Sequence, residues 1–277
     1  MQTKPLKVVQ ISDTHLFADA EGEMFGLNTA HSLQAVVERI RQVTQPDVFL
    51  MTGDLSQDET PESYRQLQRL IAPFQVPAYW IPGNHDDSAI IESVLTTAPI
   101  SADKFFQMGN WRFILLSSQR PGKVYGELSA DTLDQLTQQL QHYPQYPTLI
   151  ALHHPPCAIG SAWMDQIGLK NPEDFFAVID RFPQVKLVIF GHIHQAFSTK
   201  RNGVNYWGCP ATCMQFLPNA TEFTLDQRAT PGFRILTLHA NGDYEIQVER
   251  TDYPLPTYPD PKPIRAMLGQ LVSSGGG

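Results

Sequence analysis

Near the start of the chain lies the sequence LKVVQISDTH, residues 6–15. Its apolar, β-branched run from Leu6 to Ser12 predicts a buried strand, and Asp13 and His15 follow in a loop. The same order recurs further along, where apolar runs lead into TGD at 52–54, PGNHD at 82–86, LHHPP at 152–156 and FGHIH at 190–194. Because the carboxyl ends of parallel strands face a common crevice, these five loops are predicted to converge.

Helical patterns alternate with the strands. Helices are predicted at 30–43, 61–71, 131–140 and 172–181, and further strands at 47–52, 77–81, 111–117, 148–152 and 185–190. The alternation predicts an α/β fold with parallel pairing at its centre, layered in two sheets and flanked by helices. Later strands at 196–200, 204–208, 233–239 and 244–249 flank Asn-Gly turns, so they are predicted to be antiparallel and to complete the second sheet.

The C-terminal region has a different composition. Residues 1–252 are predicted to form the domain, and residues 253–277 a proline-rich arm with a short apolar tail at 264–272. Prolines 254, 256, 259, 261 and 263 exclude a regular helix there and favour an extended chain. The arm packs either on its own domain or on a partner subunit, so a homodimer stays open.

Composition excludes several classes of protein. The 277 residues include 20 basic and 28 acidic side chains, and this net charge of −8 disfavours binding to nucleic acid. No apolar stretch reaches the roughly 18 residues of a membrane span, and the first residues do not resemble a signal peptide, which predicts a cytoplasmic protein. Cys157, Cys209 and Cys213 are predicted to be free thiols, although pairing of Cys209 with Cys213 is left open.

The five loops carry the side chains of a metal site. A single histidine beside a strand usually has a structural role, but here histidines recur with Asp and Asn. In Asp-x-His and His-x-His the two side chains lie on the same side of an extended segment, and glycines 53, 83 and 191 allow close approach. Carboxylate, imidazole and amide ligands without thiolate suit Mn, Fe or Zn, and seven candidates exceed one tetrahedral sphere. Two ions are therefore predicted.

These motifs and their order along the chain resemble those of the calcineurin-like metallophosphoesterase superfamily. The resemblance narrows to the bacterial class III 3′,5′-cyclic AMP phosphodiesterases through ISDTHLF (11–17), GLNT (26–29), TGDLSQD (52–58), YGELS (125–129), WMDQIGLKN (163–171) and TCMQF (212–216). It covers residues 6–250 and leaves the proline-rich arm outside. It implies the two-sheet metallophosphoesterase sandwich and hydrolysis of cyclic AMP to 5′-AMP, with a small cyclic nucleotide or another phosphodiester as the substrate.

The resemblance also implies a ligand set for two divalent or mixed-valence ions. One ion would be held by Asp13, His15, Asp54 and His194, and the other by Asp54, Asn84, His153 and His192. A hydroxide bridging the ions would attack phosphorus in line with the departing 3′ oxygen. Asp86 is predicted to orient His85 or its loop rather than to bind metal.

Asn84, His85, His154 and His194 are the predicted substrate contacts. The amide of Asn84 and the imidazole of His85 are expected to meet phosphoryl oxygens, with His85 favoured as a charge stabiliser and its role as proton donor left open. A structural role for the His154 ring is an equal alternative. Trp163, Phe216 and Tyr125 could stack on a base, against the alternative of core packing.

Two other functions stay open. One is a broad phosphodiesterase acting on glycerophosphodiesters or 2′,3′-cyclic nucleotides, because the metal centre handles phosphorus and not the alcohol. The other is a non-catalytic scaffold of the same fold, which is disfavoured because every ligand position is filled.

Overall fold

The computed structural model describes residues 4–258, which fold into two facing six-stranded sheets and five helices. The helices are α1 (Thr29–Val43), α2 (Pro61–Ile71), α3 (Ser88–Val94), α4 (Ala130–His142) and α5 (Pro172–Ile179). The strands are β1 (Leu6–Ile11), β2 (Glu23–Met24), β3 (Leu27–Asn28), β4 (Val48–Thr52), β5 (Ala78–Ile81), β6 (Ile100–Ser101), β7 (Phe105–Met108), β8 (Trp111–Leu115), β9 (Thr148–Leu152), β10 (Val185–Phe190), β11 (Phe197–Arg201), β12 (Val204–Gly208), β13 (Gly232–Leu238) and β14 (Tyr244–Arg250).

Each sheet has parallel strands at its centre, as predicted. The first sheet has the order β14-β13-β1-β4-β5-β6, and the second has the order β11-β12-β10-β9-β8-β7. Strands β1, β4, β5 and β6 are parallel in the first sheet, and β8, β9, β10 and β12 are parallel in the second. The small pair β2-β3 stands apart from both sheets.

Alternation along the strands creates three layers of core. Val8 packs between the two sheets, whereas its neighbour Val9 faces the helices, because successive side chains point to opposite faces. Helices α1, α2 and α3 cover the outer face of the first sheet, and α4 and α5 cover that of the second. The strands that carry the site are thus covered on both sides, which holds their carboxyl ends rigidly.

Local sequence explains where the site-supporting helix α2 begins. The hydroxyl of Thr60 accepts the N–H of Ser63, and Pro61 occupies the first turn, where its missing N–H costs nothing. Tyr64 and Leu67 then lie on the buried face. The prediction of a helix at 61–71 is confirmed.

The prediction that all four C-terminal strands complete the second sheet is wrong in part. Strands β11 and β12 do so, but β13 and β14 belong to the first sheet, where β13 is antiparallel to β1 with Leu238 opposite Leu6. Every residue of β13 is buried. This strand is covered on both faces and occupies an inner position in the first sheet. The pattern of apolar residues in its sequence does not indicate which sheet it joins.

The described part of the C-terminal arm packs on its own domain. Tyr258 is 5% exposed and belongs to the core beneath the second sheet, with Tyr253 and Leu255 beside it. Prolines 259, 261 and 263 and the predicted apolar tail at 264–272 lie outside the described residues. The boundary at residue 252 stays a prediction. Within residues 4–258 the helices are too short or too polar to cross a bilayer.

Candidate metal centre

Five loops meet at the carboxyl ends of strands from both sheets. Three come from the first sheet and two from the second, and the side chains they carry are Asp13 and His15 after β1, Asp54 after β4, Asn84 and His85 after β5, His153 after β9, and His192 and His194 after β10. Six of these are at most 5% exposed and are called the inner cluster: Asp13, His15, Asp54, His153, His192 and His194. Asn84 and His85 are partly exposed.

Asp54 lies at the middle of the inner cluster. Its Oδ2 atom is 3.8 Å from Nε2 of His15 and 3.3 Å from Nε2 of His153. On the side of His15, Oδ1 of Asp13 is 3.5 Å from Nε2 of His194. One carboxylate oxygen therefore faces imidazoles from both sheets, which is the position that a bridging ligand needs.

The inner cluster and Asn84 have ligand atoms whose lone pairs meet no protein donor. Within residues 4–258, Oδ1 of Asn84 and Nε2 of both His153 and His192 are buried without a hydrogen-bond partner. The Nε2 atoms of His15 and His194 face each other at 3.2 Å. Buried acceptors of this kind are costly unless something positive meets them, so these residues fit divalent cations.

Contacts at the other ring nitrogen orient three imidazoles. Nδ1 of His15 lies 2.7 Å from Oε1 of Gln57, Nδ1 of His153 lies 2.7 Å from the Thr52 carbonyl, and Nδ1 of His194 lies 2.9 Å from the Met214 carbonyl. Since Nδ1–H donates in each pair, the neutral form of each ring has its lone pair at Nε2, which points into the cluster.

Backbone N–H groups fix the carboxylates. Both oxygens of Asp13 accept the N–H of His192, at 3.0 and 3.1 Å, which joins a loop of the first sheet to a loop of the second. Oδ1 of Asp54 accepts the N–H of His85 at 2.8 Å. The Oδ2 atom of Asp54 is thereby left to face the imidazoles.

Burial and neighbouring charges set the protonation states. Burial lowers the pKa of His15 to about 3 and that of His192 well below its usual value, so both rings are neutral, the form that binds metal. Burial opposes protonation of His153 as well, yet the Asp54 carboxylate raises the pKa of that ring to about 9. Burial raises the pKa of Asp54, but His153, His85 and His15 together outweigh it and hold that pKa well below its usual range.

Five residues of the inner cluster adopt a left-handed backbone. The φ angles are +54° at Asp13, +46° at His15, +51° at Asp54, +69° at His192 and +45° at His194. Residues with a Cβ rarely adopt this region, and each such residue costs on the order of 1–3 kcal/mol. The surrounding packing therefore stabilises a conformation that turns these side chains toward one point.

The predicted close approach at glycines is confirmed. A Cβ at Gly83 would lie 2.1 Å from Oδ1 of Asp54, and one at Gly191 would lie 2.0 Å from Oγ of Ser12. At Gly53, where φ is +90°, a Cβ would lie 2.4 Å from Nδ1 of His153. A larger residue at any of these positions would displace a ligand or the backbone that holds it.

The Asp86 carboxylate joins two of the site loops. It accepts N–H groups of Gly83 at 2.8 Å, Leu55 at 3.0 Å and Ser56 at 3.0 Å, and the hydroxyl of Tyr64 at 3.1 Å. Burial, with a contribution from the Asp54 carboxylate, raises the pKa of Asp86 to about 7. The carboxylate thus orients the loops of β4 and β5, which agrees with the predicted orienting role.

Other predicted site residues lie behind the centre. His154 is fully buried, with Nδ1 2.8 Å from Oγ of Ser118, which favours the structural alternative. Phe216 is 8% exposed and stacks on the His194 ring with centroids 4.2 Å apart, and Trp163 packs edge-on against Phe216. Tyr125 is partly exposed, with the amine of Lys170 5.2 Å from its ring centre.

Several residues that support the metal centre carry no signal in the sequence. Gln57 orients His15, and the Cys213 thiol donates to the Asp13 carbonyl at 3.1 Å. Gln57 lies in the motif TGDLSQD and Cys213 in TCMQF, but the spacing of these motifs does not indicate either hydrogen bond. All three cysteines lie within the described residues and are free thiols, so Cys209 and Cys213 do not pair.

Comparisons with known proteins agree with this geometry. Residues 6–196 match the protein family described as calcineurin-like phosphoesterase. A 3′,5′-cyclic-nucleotide phosphodiesterase of Nostoc sp. is 48% identical over 92% of this chain and 96% of its own. The 3′,5′-cyclic adenosine monophosphate phosphodiesterase CpdA of Escherichia coli strain K12 is 41% identical over 88% of this chain and 90% of its own. A dimetal phosphatase from Danio rerio has the same fold, with a TM-score of 0.63 at 14% identity, covering 90% of this chain and 100% of that one.

Proposed function

Because this chain belongs to the calcineurin-like phosphoesterase family, we propose that it hydrolyses 3′,5′-cyclic AMP to 5′-AMP. The cyclic-nucleotide phosphodiesterases that it resembles span almost the whole domain. The observation that carries the proposal is the group of inward-facing Nε2 and Oδ1 atoms around Asp54, whose chemistry suits a two-metal site. Within residues 4–258, the atoms of this group at Asn84, His153 and His192 have no hydrogen-bond partner.

The inner cluster and Asn84 divide into two ligand sets that share Asp54. Asp13, His15, Asp54 and His194 would hold one ion, and Asp54, Asn84, His153 and His192 the other. This mixture of carboxylate, imidazole and amide oxygen suits Fe, Mn or Zn. Two such ions supply Lewis-acid charge to the phosphoryl oxygens and a water of lowered pKa as nucleophile.

The balance of charge explains how an acidic protein binds an anion. Only Asp13 and Asp54 contribute carboxylates to the ligand sets, so two divalent ions are not neutralised and the centre stays positive. His15 and His192 are neutral because of burial, and they add no charge of their own. The phosphodiester is therefore attracted to this point of a chain whose net charge is −8.

Asn84 and His85 contact the substrate in this proposal. They alone among the site side chains are partly exposed, so they stand where a phosphate enters. With Oδ1 of Asn84 turned inward, its NH₂ group is free to donate to a phosphoryl oxygen. The His85 ring lies 5.0 Å from the His15 ring and donates to a second phosphoryl oxygen, which stabilises the charge that grows there.

His194 and His154 have different places in this arrangement. His194 is held by the Met214 carbonyl and by stacking on Phe216, so it keeps its ring fixed beside Asp13 while substrate binds. His154 is buried, and we infer that it supports His153 and His192. The centroid of its ring lies 4.9 Å from that of His153 and 4.7 Å from that of His192.

A comparison of substrates tests the function. Purified protein is loaded with Mn, Fe or Zn, and kcat/KM is measured for cyclic AMP, cyclic GMP, 2′,3′-cyclic AMP and glycerophosphocholine. We expect cyclic AMP to have the highest kcat/KM, with 5′-AMP as its product. A higher value for glycerophosphocholine would establish the broad phosphodiesterase instead, and failure to cleave any of the four with every metal would establish the scaffold.

A further inference from the structure

A pocket of about 460 Å³ opens beside the metal centre. Its wall includes Asn84 and His85 and continues over the loop at 119–124, between β8 and α4. We call this cavity the rim pocket. Its volume lies within the roughly 300–1,000 Å³ of small-molecule sites. A substrate whose phosphate reaches Asn84 and His85 therefore has room for the rest of its structure here.

The loop that forms the outer wall is fixed to the site. The side-chain amide of Gln119 donates to the Gly83 carbonyl at 2.9 Å and to the Asp86 carbonyl, and its oxygen accepts the hydroxyl of Ser88 at 2.5 Å. These three partners belong to the segment that carries Asn84 and His85. The two walls of the rim pocket are thus joined, and the pocket has a defined shape.

A tight turn presents two cations at the mouth of the rim pocket. The N–H of Lys123 donates to the Arg120 carbonyl at 3.0 Å, Pro121 follows Arg120, and Gly122 has φ of +69°. Proline followed by a left-handed glycine is the pattern of a type II turn. Arg120 and Lys123 at its two ends are exposed. Arg120 pairs with Glu127 at 3.6 Å, and the pocket lining also includes Glu59, Asp86 and Asp87, so the two cations offset neighbouring carboxylates at this edge.

The same loop exposes an apolar side chain. Val124 is 43% exposed, and within the described residues only Leu217, at 41%, is another large apolar side chain exposed to this degree. Val124 lines the rim pocket together with Pro121, whereas Leu217 lies in a different loop. An exposed apolar wall next to cations suits a flat, uncharged ring attached to a phosphate.

We propose that the rim pocket binds the nucleoside part of the substrate, an inference that rests on the proposed function. The phosphate is held at Asn84 and His85, and Val124 and Pro121 pack against one face of the base. The Arg120 guanidinium offers a second face, since Arg stacks on nucleobases. The centre thus supplies the chemistry on phosphorus, and the rim pocket supplies preference for a nucleotide over other diesters.

The test compares Val124→Asp with a matched control, Leu217→Asp, which places the same charge on an equally exposed position outside the rim pocket. For wild type and both variants, kcat/KM is measured with cyclic AMP and with bis(4-nitrophenyl) phosphate, a diester without a base. Both substrates are monoanions, so general electrostatic repulsion by the new carboxylate cancels in their ratio. Thermal melts establish that both variants are folded.

We expect Val124→Asp to lower the ratio of cyclic AMP to aryl diester by about tenfold, mainly through KM, because base stacking is lost. Leu217→Asp is expected to leave the ratio at the wild-type value. If Val124→Asp leaves the ratio unchanged while wild type cleaves cyclic AMP, the rim pocket inference is overturned and the proposed function stands. If wild type cleaves only the aryl diester, the proposed function fails and this inference with it.

Discussion

The inner cluster and the rim pocket lie side by side but are built in different ways. Each side chain of the inner cluster is buried, and all except the His192 ring are oriented by a hydrogen bond to a backbone group or a glutamine. The rim pocket is lined by the exposed residues 120–124 and by the mostly exposed or partly exposed segment 84–89, and Gln119 joins the two. In the proposed arrangement, the chemistry on phosphorus therefore depends on the core of the fold, whereas recognition of the alcohol depends on a surface loop.

The largest effect is expected from Asp54→Asn. The change keeps an oxygen for the N–H of His85 but removes the charge that both ligand sets share. We expect turnover of every phosphodiester to fall by at least the roughly 10²–10³-fold that loss of one charge-stabilising group costs elsewhere. Metal analysis and kcat/KM with two substrates check this. Wild-type metal content together with wild-type turnover would remove Asp54 from the bridging position.

His85→Ala tests whether the substrate contact at the rim can be removed without loss of metal from the inner cluster. We expect a loss of about 10²–10³-fold in kcat, because one donor to the phosphoryl charge is removed, with the metal content of wild type. A series of aryl diesters with rising leaving-group pKa distinguishes the two roles of the imidazole. A constant loss across the series identifies charge stabilisation, whereas a loss that grows with leaving-group pKa would identify His85 as the proton donor.

Gln57→Ala tests a contact that supports the inner cluster without belonging to it. Loss of the hydrogen bond at Nδ1 frees the His15 ring, and we expect metal affinity to weaken by about 10–100-fold. Competition with a chelator measures the affinity. Gln34→Ala, on the exposed face of α1, is the matched control. Equal affinity in both variants would mean that burial alone orients His15.

The smallest effect is expected from Tyr64→Phe, which affects the connection between the loops of β4 and β5. The hydroxyl donates to Asp86 and accepts the N–H of Asp87 at 3.0 Å, so its removal leaves buried polar groups short of a partner. We expect the free energy of unfolding to fall by about 1–3 kcal/mol. Thermal melts check this against Tyr79→Phe, whose ring stacks on Phe106 in both forms. Equal melting temperatures would contradict the prediction.

The sequence predicts the strands and the ligands well because both leave a local signal. An apolar run followed by Asp, Asn or His indicates both where the strand ends and which residue is the ligand candidate, as after Thr52 and Phe190. The ligand candidates of all five loops do come together. What makes this prediction possible is that parallel strands share one edge, so the sequence need not specify each distance.

Other features depend on contacts between distant residues and leave no local signal. The left-handed φ angles at Asp13 and His192 arise because the N–H of one must reach the carboxylate of the other. The placement of β13 beside β1 also lacks a local signal, because burial on both faces is a property of inner strands in either sheet. The stacking of Phe216 on His194 likewise appears only in three dimensions, where an aromatic considered for base stacking or core packing supports a ligand.

The position of β13 has a consequence for how the chain acquires its structure during synthesis. Strand β1 (Leu6–Ile11) is synthesised long before one of its two neighbours in the sheet, β13 (Gly232–Leu238). Until then the backbone of β1 is unpaired on that side, an edge of the kind that recruits foreign strands. Domains fold largely as units during translation, so the residues through Leu238 must leave the ribosome before the first sheet can close.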